Sequence, residues 1–124
     1  MFEINAKDPM PLYAQLESAV RLAIASGNLR TGEQLPTVRQ LAVQLRINAN
    51  TVAKVYASLE DDGVLETRRG VGTFVRLRDA GAAIRKDENQ RLTDFVNRFL
   101  IDGSKLGFTV DQILEHLIER SKRR

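Results

Sequence analysis

A polar stretch opens one amphipathic segment of the chain, residues 47–60, which read INANTVAKVYASLE. In a helix, Asn50 and Lys54 would stand one turn apart, with Thr51 one position round from them. An asparagine amide holds donors and an acceptor in one plane, so Asn48 or Asn50 could bond to an adenine edge. Thr51 and Lys54 suit phosphate oxygens. The alternative is that an asparagine merely caps the helix and that Lys54 is a solvated charge.

Arginine and glycine residues form a second group of possible DNA contacts. Arg39 stands in the first turn of a predicted short helix, where its guanidinium would reach a guanine or a phosphate. We assign Thr37, the expected cap of that helix, to the same set. Arg68, Arg69 and Gly70 fall at a predicted tight turn, which suits phosphates or a narrow minor groove. The plainer interpretation of each arginine is a solvated surface residue.

Groups for catalysis or metal binding are few. The chain has no cysteine and a single histidine, His116, so no thiolate site, histidine-rich metal site or Ser-His-Asp arrangement is evident. The acidic residues 60–62 are most simply a polar helix end. The glycines of GVGTF precede a predicted strand, whereas a nucleotide loop precedes a helix. We therefore expect no enzymatic activity, no cofactor and no metal.

Charge and hydropathy limit the possible partners. The net charge is +3 and the sequence pI about 9.6, so an anionic partner has to be recognised by locally clustered charge. No apolar run approaches the ~20 residues that cross a bilayer, and the start, MFEINAKDP, lacks the pattern of a secretion signal. The absence of cysteine fits a cytoplasmic protein, and no membrane partner is expected.

Hydrophobic spacing predicts three helices that would hold these residues. The first is expected at about residues 11–26 and the second, short one begins after Thr37. The third starts near Asn48 or Asn50, buries its apolar face and stops at Gly63. Two short helices joined by a few residues form a helix-turn-helix.

A hairpin is predicted directly after the third helix. Residues 64–67 and 73–77 alternate in polarity around the turn RGVG, whose glycines allow the chain to reverse. A hairpin in this position is called a wing. The alternation therefore predicts a winged helix-turn-helix.

Two further helices are predicted after residues 79–84, which we interpret as a hinge. The last helix is capped by Thr109 or Asp111. These helices form a unit of ~45 residues, too small to bury both apolar stripes by itself. It either folds back on the preceding domain or pairs with a second copy of the chain. The residues expected in such a dimer interface are Leu92, Phe95, Val96, Phe99, Leu100, Ile113, Leu114, Leu117 and Ile118.

Residues 10–76 resemble the DNA-binding domain of the GntR superfamily of bacterial transcription regulators. The matching motifs are PLYAQL, SGNLRTGEQLPTVRQLA, NTVAKVYASLEDDG and RRGVGTFV, all in register. The short tail resembles the YtrA-like subgroup, in which a small helical unit dimerises the protein. The chain departs from the family where many members carry arginine, since alanine stands at positions 49 and 53. Val71 replaces the basic residue that is frequent between the wing glycines.

The resemblance implies a mainly α fold with a small β-hairpin. Residues 1–78 would form the winged helix-turn-helix DNA-binding domain and residues 79–124 a helical dimerisation unit. It also implies a repressor that binds a palindromic double-stranded operator as a homodimer. Asn48, Asn50 and Arg39 would read bases, while Thr51, Lys54, Arg68 and Arg69, with Gly70, would hold the DNA backbone.

One alternative stays open, namely that the winged domain is only a scaffold and the tail binds a partner protein. The residues do not indicate an effector ligand, an operator sequence or the regulated genes. No pattern in the sequence marks a pocket for such a ligand.

Overall fold

The computed structural model describes residues 2–76 and 86–122, and for residues 86–88 only the helical backbone. These parts of the chain hold five helices and one two-stranded antiparallel sheet, as expected of a mainly α fold with a hairpin. The predicted hinge at residues 79–84 lies outside the described residues. The elements are α1 (Leu12–Ala25), α2 (Val38–Leu45), α3 (Ala49–Asp61), β1 (Leu65–Arg68), β2 (Gly72–Val75), α4 (Lys86–Lys105) and α5 (Val110–Ser121).

The chain divides into two compact units, residues 1–78 and residues 79–124. In the first unit, α1, α2 and α3 pack their apolar stripes around one core, which the sheet and the connector after α1 complete. Burying a leucine or valine side chain contributes about 1.5–3 kcal/mol, so the stripes determine which face of each helix stays outside. The largest fully buried side chains are Leu16, Val20, Leu29, Leu41, Val52, Leu59 and Leu65.

The turn between α2 and α3 is set by a left-handed residue. Arg46 has a φ of 57°, the one positive φ among the described non-glycine residues. Its N–H lies 3.3 Å from the carbonyl oxygen of Val43, and the N–H of Ile47 lies 3.1 Å from that of Ala42. This pair of bonds is the Schellman arrangement that ends a helix. It makes the bend between the two helices and directs the chain into the cap of α3.

The wing strands are offset slightly from their predicted positions. β1 begins at Leu65 and extends to Arg68, which pairs with Gly72 at the start of β2. At the other end Leu65 pairs with Val75, and both are buried. The predicted strand residue 77 lies outside the described part of the chain. The offset arises because burial of Leu65 and Val75 opposite each other decides the register.

The free edge of β2 is covered by the connector between α1 and α2. The N–H of Leu35 bonds to the carbonyl of Thr73 at 2.8 Å, and the N–H of Val75 bonds to that of Glu33 at 2.8 Å. Gln34 faces Phe74 in the same antiparallel pairing. The connector is thus paired with β2 through an isolated antiparallel bridge, while the sheet itself has two strands.

In the second unit, α4 passes through Gly103 and ends at Lys105. The spacing of its apolar residues predicts an end in the glycine-containing region 103–107. Gly103 is buried, and a Cβ there would lie 2.9 Å from Cδ1 of Ile113 on α5. The glycine therefore serves close helix packing, and the chain turns instead at Gly107, whose φ is +89°.

The start of α5 resolves one of the alternatives from the sequence. The N–H of Gln112 donates to Oγ1 of Thr109 at 3.2 Å, and the N–H of Thr109 donates to Oε1 of Gln112 at 2.9 Å. This reciprocal pair is a capping box. Thr109 is thus the cap, and Asp111 lies in the first turn, where its charge suits the helix dipole.

Candidate nucleic-acid interface

The N-terminal end of α3 presents its polar residues outward. Asn50 and Lys54 are exposed and Thr51 is half-buried, while Val52, Val55 and Leu59 of the same helix are buried. The predicted inward face is therefore confirmed. The outward face leaves an amide and an ammonium one turn apart, and among the described residues neither side chain has a hydrogen-bond or ion-pair partner.

Asn48 is the cap of α3. Its Oδ1 accepts a hydrogen bond of 2.7 Å from the N–H of Asn50. A bidentate contact with adenine uses both the oxygen and the NH₂ group of an amide, and here the oxygen already has a donor. Asn48 keeps its NH₂ group for an acceptor on DNA, whereas Asn50 keeps both halves of its amide. Of the two asparagines, Asn50 is therefore the one that keeps the complete amide edge required for a bidentate contact.

The start of α2 combines a cap with an exposed arginine. The N–H of Gln40 donates to Oγ1 of Thr37 at 3.0 Å, and the N–H of Thr37 donates to Oε1 of Gln40 at 2.9 Å. This capping box confirms the predicted cap. Because Thr37 Oγ1 acts as an acceptor here, its hydroxyl hydrogen remains available to a phosphate. Arg39 follows on the first turn and is exposed.

A buried tyrosine joins α3 to the start of α2. The hydroxyl of Tyr56 donates a hydrogen bond of 2.7 Å to the carbonyl oxygen of Pro36. Burial of the ring raises the pKa of Tyr56 to about 12. The sequence reasoning missed this residue, although it stands four positions after Val52, on the same buried stripe. Tyr56 thereby fixes the helix that carries Asn50 beside the helix that carries Arg39.

The wing tip is a tight turn of residues 69–71. The N–H of Val71 bonds to the carbonyl of Arg68 at 2.9 Å. Gly70 has a φ of +76°, a conformation that suits glycine at the third position of such a turn. Arg69 and Gly70 are exposed. In the part of the chain that the structure describes, the Arg69 guanidinium makes no ion pair, so its charge is available to an anion.

The two arginines of the wing differ in their surroundings. Arg68 is the last residue of β1, and its Nε lies 3.2 Å from Oε1 of Glu66. Its guanidinium carbon also lies 4.3 Å from the ring centre of Phe74, within cation–π distance. Part of its charge is therefore compensated within the wing. Arg69, at the tip, is the better placed of the two for a phosphate.

Gln34 contacts the wing tip from the connector. Its Nε2 donates a hydrogen bond of 3.1 Å to the carbonyl oxygen of Val71. A Cβ on Gly72 would lie only 2.5 Å from that nitrogen, so the absence of a side chain at position 72 permits this approach. The sequence reasoning missed Gln34, and no local pattern indicates it, since the contact spans 37 residues.

The second unit exposes an apolar surface. Phe95 and Phe99 stack with ring centres 6.4 Å apart, and both are exposed. A groove of about 530 Å³ between α4 and α5 is lined mainly by apolar side chains, with His116 among its polar residues. Of the nine residues predicted for a dimer interface, Leu100 and Ile113 are half-buried, and the exposed ones are Leu92, Phe95, Val96, Phe99, Leu114, Leu117 and Ile118.

Two features of the described residues concern other functions. Within residues 2–76 and 86–122 no cluster of three or more His, Asp or Glu residues could hold a metal ion. None of the helices in those ranges is both long and apolar enough to cross a membrane.

Comparison with known protein families gives one match that covers half of the chain. The model of the gntR family of bacterial regulatory proteins matches residues 12–75, which include α1, α2, α3 and both wing strands. The chain belongs to this family. Its predicted family is thereby confirmed, and with it the winged helix that the family shares.

Two relatives place this GntR-family chain in the YtrA-like subgroup. It is 29% identical to the HTH-type transcriptional repressor YtrA of Bacillus subtilis over 98% of this chain and 92% of the relative. A solved structure of YtrA from Sulfolobus acidocaldarius has a TM-score of 0.58 at 27% identity and covers 81% of this chain and 97% of the other. The similarity therefore extends into the tail.

A second similar structure contains DNA. It is the DNA-binding domain of AraR in complex with operator ORX1, with a TM-score of 0.55 and 28% identity over 60% of this chain and 95% of AraR's domain. The matched part of this GntR-family chain is thus similar to a domain solved on an operator. The chain is a YtrA-like transcription regulator with a winged-helix DNA-binding domain.

Proposed function

We propose that this protein is a transcriptional repressor that binds a palindromic double-stranded operator as a homodimer. The observation that carries the proposal is the free, exposed amide of Asn50 at the tip of a helix whose opposite face is buried. Arg39 at the start of α2 and Arg69 on the wing are also exposed. Together they offer a planar amide for a base edge and cations for phosphates.

Each residue has a role in this proposal. Asn50 makes the bidentate base contact and Arg39 contacts a guanine or a phosphate, while Asn48 donates only through its NH₂ group. Lys54 and Thr51 contact the backbone beside α3. On the wing, Arg69 supplies charge, Arg68 adds a partly compensated charge, and Gly70 leaves the turn's backbone N–H groups accessible. The hydroxyl of Thr37 donates to a phosphate at the start of α2.

The homodimer follows from the apolar surface of the second unit. Two helices offer too little apolar surface to cover the exposed phenylalanines and leucines. A second copy of the chain offers an identical apolar surface that could cover them. In a symmetric dimer, two α3 helices would face successive major grooves about 34 Å apart. The operator would then be a palindrome with the same spacing.

The repressor function rests on the relatives. YtrA of Bacillus subtilis is named a transcriptional repressor, and its similarity covers nearly the whole of this chain. A bound protein blocks transcription when its operator overlaps the promoter, and this needs no group beyond the DNA-binding surface. We therefore propose no cofactor, metal or enzymatic step. The protein would act in the cytoplasm, where bacterial DNA is found.

The test is a binding titration with DNA from the region upstream of the protein's own gene. We expect a footprint with two-fold symmetry and an affinity about 10³-fold or more above that for a scrambled duplex of equal length. Binding should weaken steeply as salt rises, because phosphate contacts release counterions. The matched control is Asn50→Ala, which should lose the preference for the operator.

One outcome would contradict the proposal and favour the alternative. If the protein showed no salt-dependent binding to any duplex, the winged domain would be a scaffold and the tail a surface for a partner protein. A footprint on a single half-site would instead contradict only the dimeric part.

A further inference from the structure

The position of the wing tip depends on one residue outside the wing. Of the described side chains outside the hairpin, Gln34 is the one whose hydrogen bond reaches the turn of residues 69–71, through Nε2 and the carbonyl of Val71 at 3.1 Å. A further side-chain bond to the wing joins Thr67 to Glu60 of α3 at 2.9 Å, lower on β1. The two bonds thus attach the wing at two positions, one at its tip and one on β1.

The backbone around Gln34 is itself held firmly against the wing. Leu35, the residue after it, is buried, and its N–H bonds to the carbonyl of Thr73 at 2.8 Å. Glu33, the residue before it, accepts the N–H of Val75 at 2.8 Å. The backbone of Gln34 is therefore held in place, and the hydrogen bond from its side-chain amide to Val71 restrains the wing tip relative to it.

The same connector also contacts α3. Pro36, two residues after Gln34, accepts the hydrogen bond of the Tyr56 hydroxyl, and Thr37 follows as the cap of α2. The wing tip, α3 and the start of α2 are thus all attached to one stretch, residues 33–37. This stretch therefore contributes, together with the Thr67–Glu60 bond, to the placement of the wing tip relative to α3.

We propose that Gln34 is a positioning residue, which holds the wing tip so that Arg69 and Gly70 meet the DNA backbone while α3 lies in the groove. This inference rests on the proposed function. Gln34 acts in it through Val71 and not by touching DNA. A wing tip that is already held in position binds a rigid duplex more tightly than a mobile one. A mobile tip would lose conformational entropy when it became ordered on the DNA.

The test variant is Gln34→Met, which keeps nearly the same length and removes the donor. Gln34 is exposed, so the variant is expected to fold, and circular dichroism checks this. Operator affinity per half-site should fall about 3- to 10-fold, the effect of losing one hydrogen bond. In the free protein, the amide protons of residues 69–72 should exchange faster with solvent than in the wild type.

A double-mutant cycle separates positioning from direct contact. If Gln34 acts by holding Arg69, then Arg69→Ala should cost little further affinity in the Gln34→Met protein. Lys54→Ala is the matched control, because Lys54 lies on α3 and not on the wing. Its loss of binding free energy should add in full to the loss caused by Gln34→Met.

Two results would overturn the inference. One is a Gln34→Met protein with wild-type affinity and wild-type amide exchange at the tip. The other is a loss of affinity that adds fully to that of Arg69→Ala with unchanged exchange, since Gln34 would then contact DNA itself. Failure of the proposed function would be recognised separately, as absence of operator binding by the wild-type protein, and the exchange measurement would still decide whether Gln34 holds the tip.

Discussion

Tyr56 on α3 and Pro36 before α2 are joined by a hydrogen bond of 2.7 Å from the tyrosine hydroxyl to the proline carbonyl. The bond crosses between the two helices of the helix-turn-helix, at the end opposite their connecting turn at Arg46. With the turn at one end and Tyr56 at the other, the angle between α2 and α3 is fixed at two points. The exposed residues Arg39 and Asn50 consequently keep a constant separation.

Removal of the Tyr56 hydroxyl should destabilise the domain. Tyr56→Phe leaves the carbonyl of Pro36 without this donor, and we expect the free energy of unfolding to fall by about 1–3 kcal/mol. Urea unfolding measures the change. The control is Tyr13→Phe at the other tyrosine, which is 55% exposed and should change stability by no more than about 0.5 kcal/mol. Equal effects of the two variants would contradict a special role for Tyr56.

The same tyrosine should make stability depend on alkaline pH. Burial favours the neutral phenol, so the pKa of Tyr56 is about 12 in the folded protein against 10.0 in a model peptide. The resulting stabilisation is fully present below pH 10 and is lost as pH rises towards 12. We therefore expect wild type and Tyr56→Phe to approach each other in stability over that window. Ultraviolet titration of tyrosinate should show a step near pH 12 that disappears in Tyr56→Phe; the absence of this step from the wild type would contradict the prediction.

Asn50→Ala and Lys54→Ala should weaken DNA binding in different ways. Loss of the Asn50 amide removes a base contact, which should cost about 1–3 kcal/mol on the operator and little on scrambled DNA. Loss of the Lys54 ammonium should weaken binding to both duplexes and reduce the salt slope by about 1. Titrations of both variants across salt concentrations measure this. Indistinguishable profiles would show that the two residues do not divide these roles.

Phe95→Glu should convert the proposed dimer into a monomer. Phe95 is 68% exposed in the single chain, so the helix should tolerate the change, while a charge buried in a dimer interface is costly. Sedimentation should show the monomer, and operator affinity should fall about 100-fold or more because the two half-sites are no longer coupled.

Asn97→Glu is the control for that variant, because it places the same charge two residues along α4, on a different face, and should leave the dimer intact. An unaltered dimer for Phe95→Glu would mean that the interface lies elsewhere.

Local patterns in the sequence determined most of the secondary structure. The cap at Thr37 was predicted because a capping box is made within four residues, whereas for α5 the sequence left Thr109 and Asp111 as alternatives. The ends of α1 lie within one residue of their predicted positions. The inward face of α3 followed from the spacing of Val52, Val55 and Leu59. The outward position of Asn50 and Lys54 followed as well, since side chains that are not on the buried face point to solvent.

Only the tertiary structure decided the contacts between distant segments. Gln34 reaches Val71 across 37 residues and Tyr56 reaches Pro36 across 20, and neither spacing produces a periodic signal. The physical reason is that helix periodicity and caps arise from neighbours in the chain. The attachment of the wing and of α3 to the connector of residues 33–37 depends on hydrogen bonds between distant segments. These bonds form only after the core has brought the segments together.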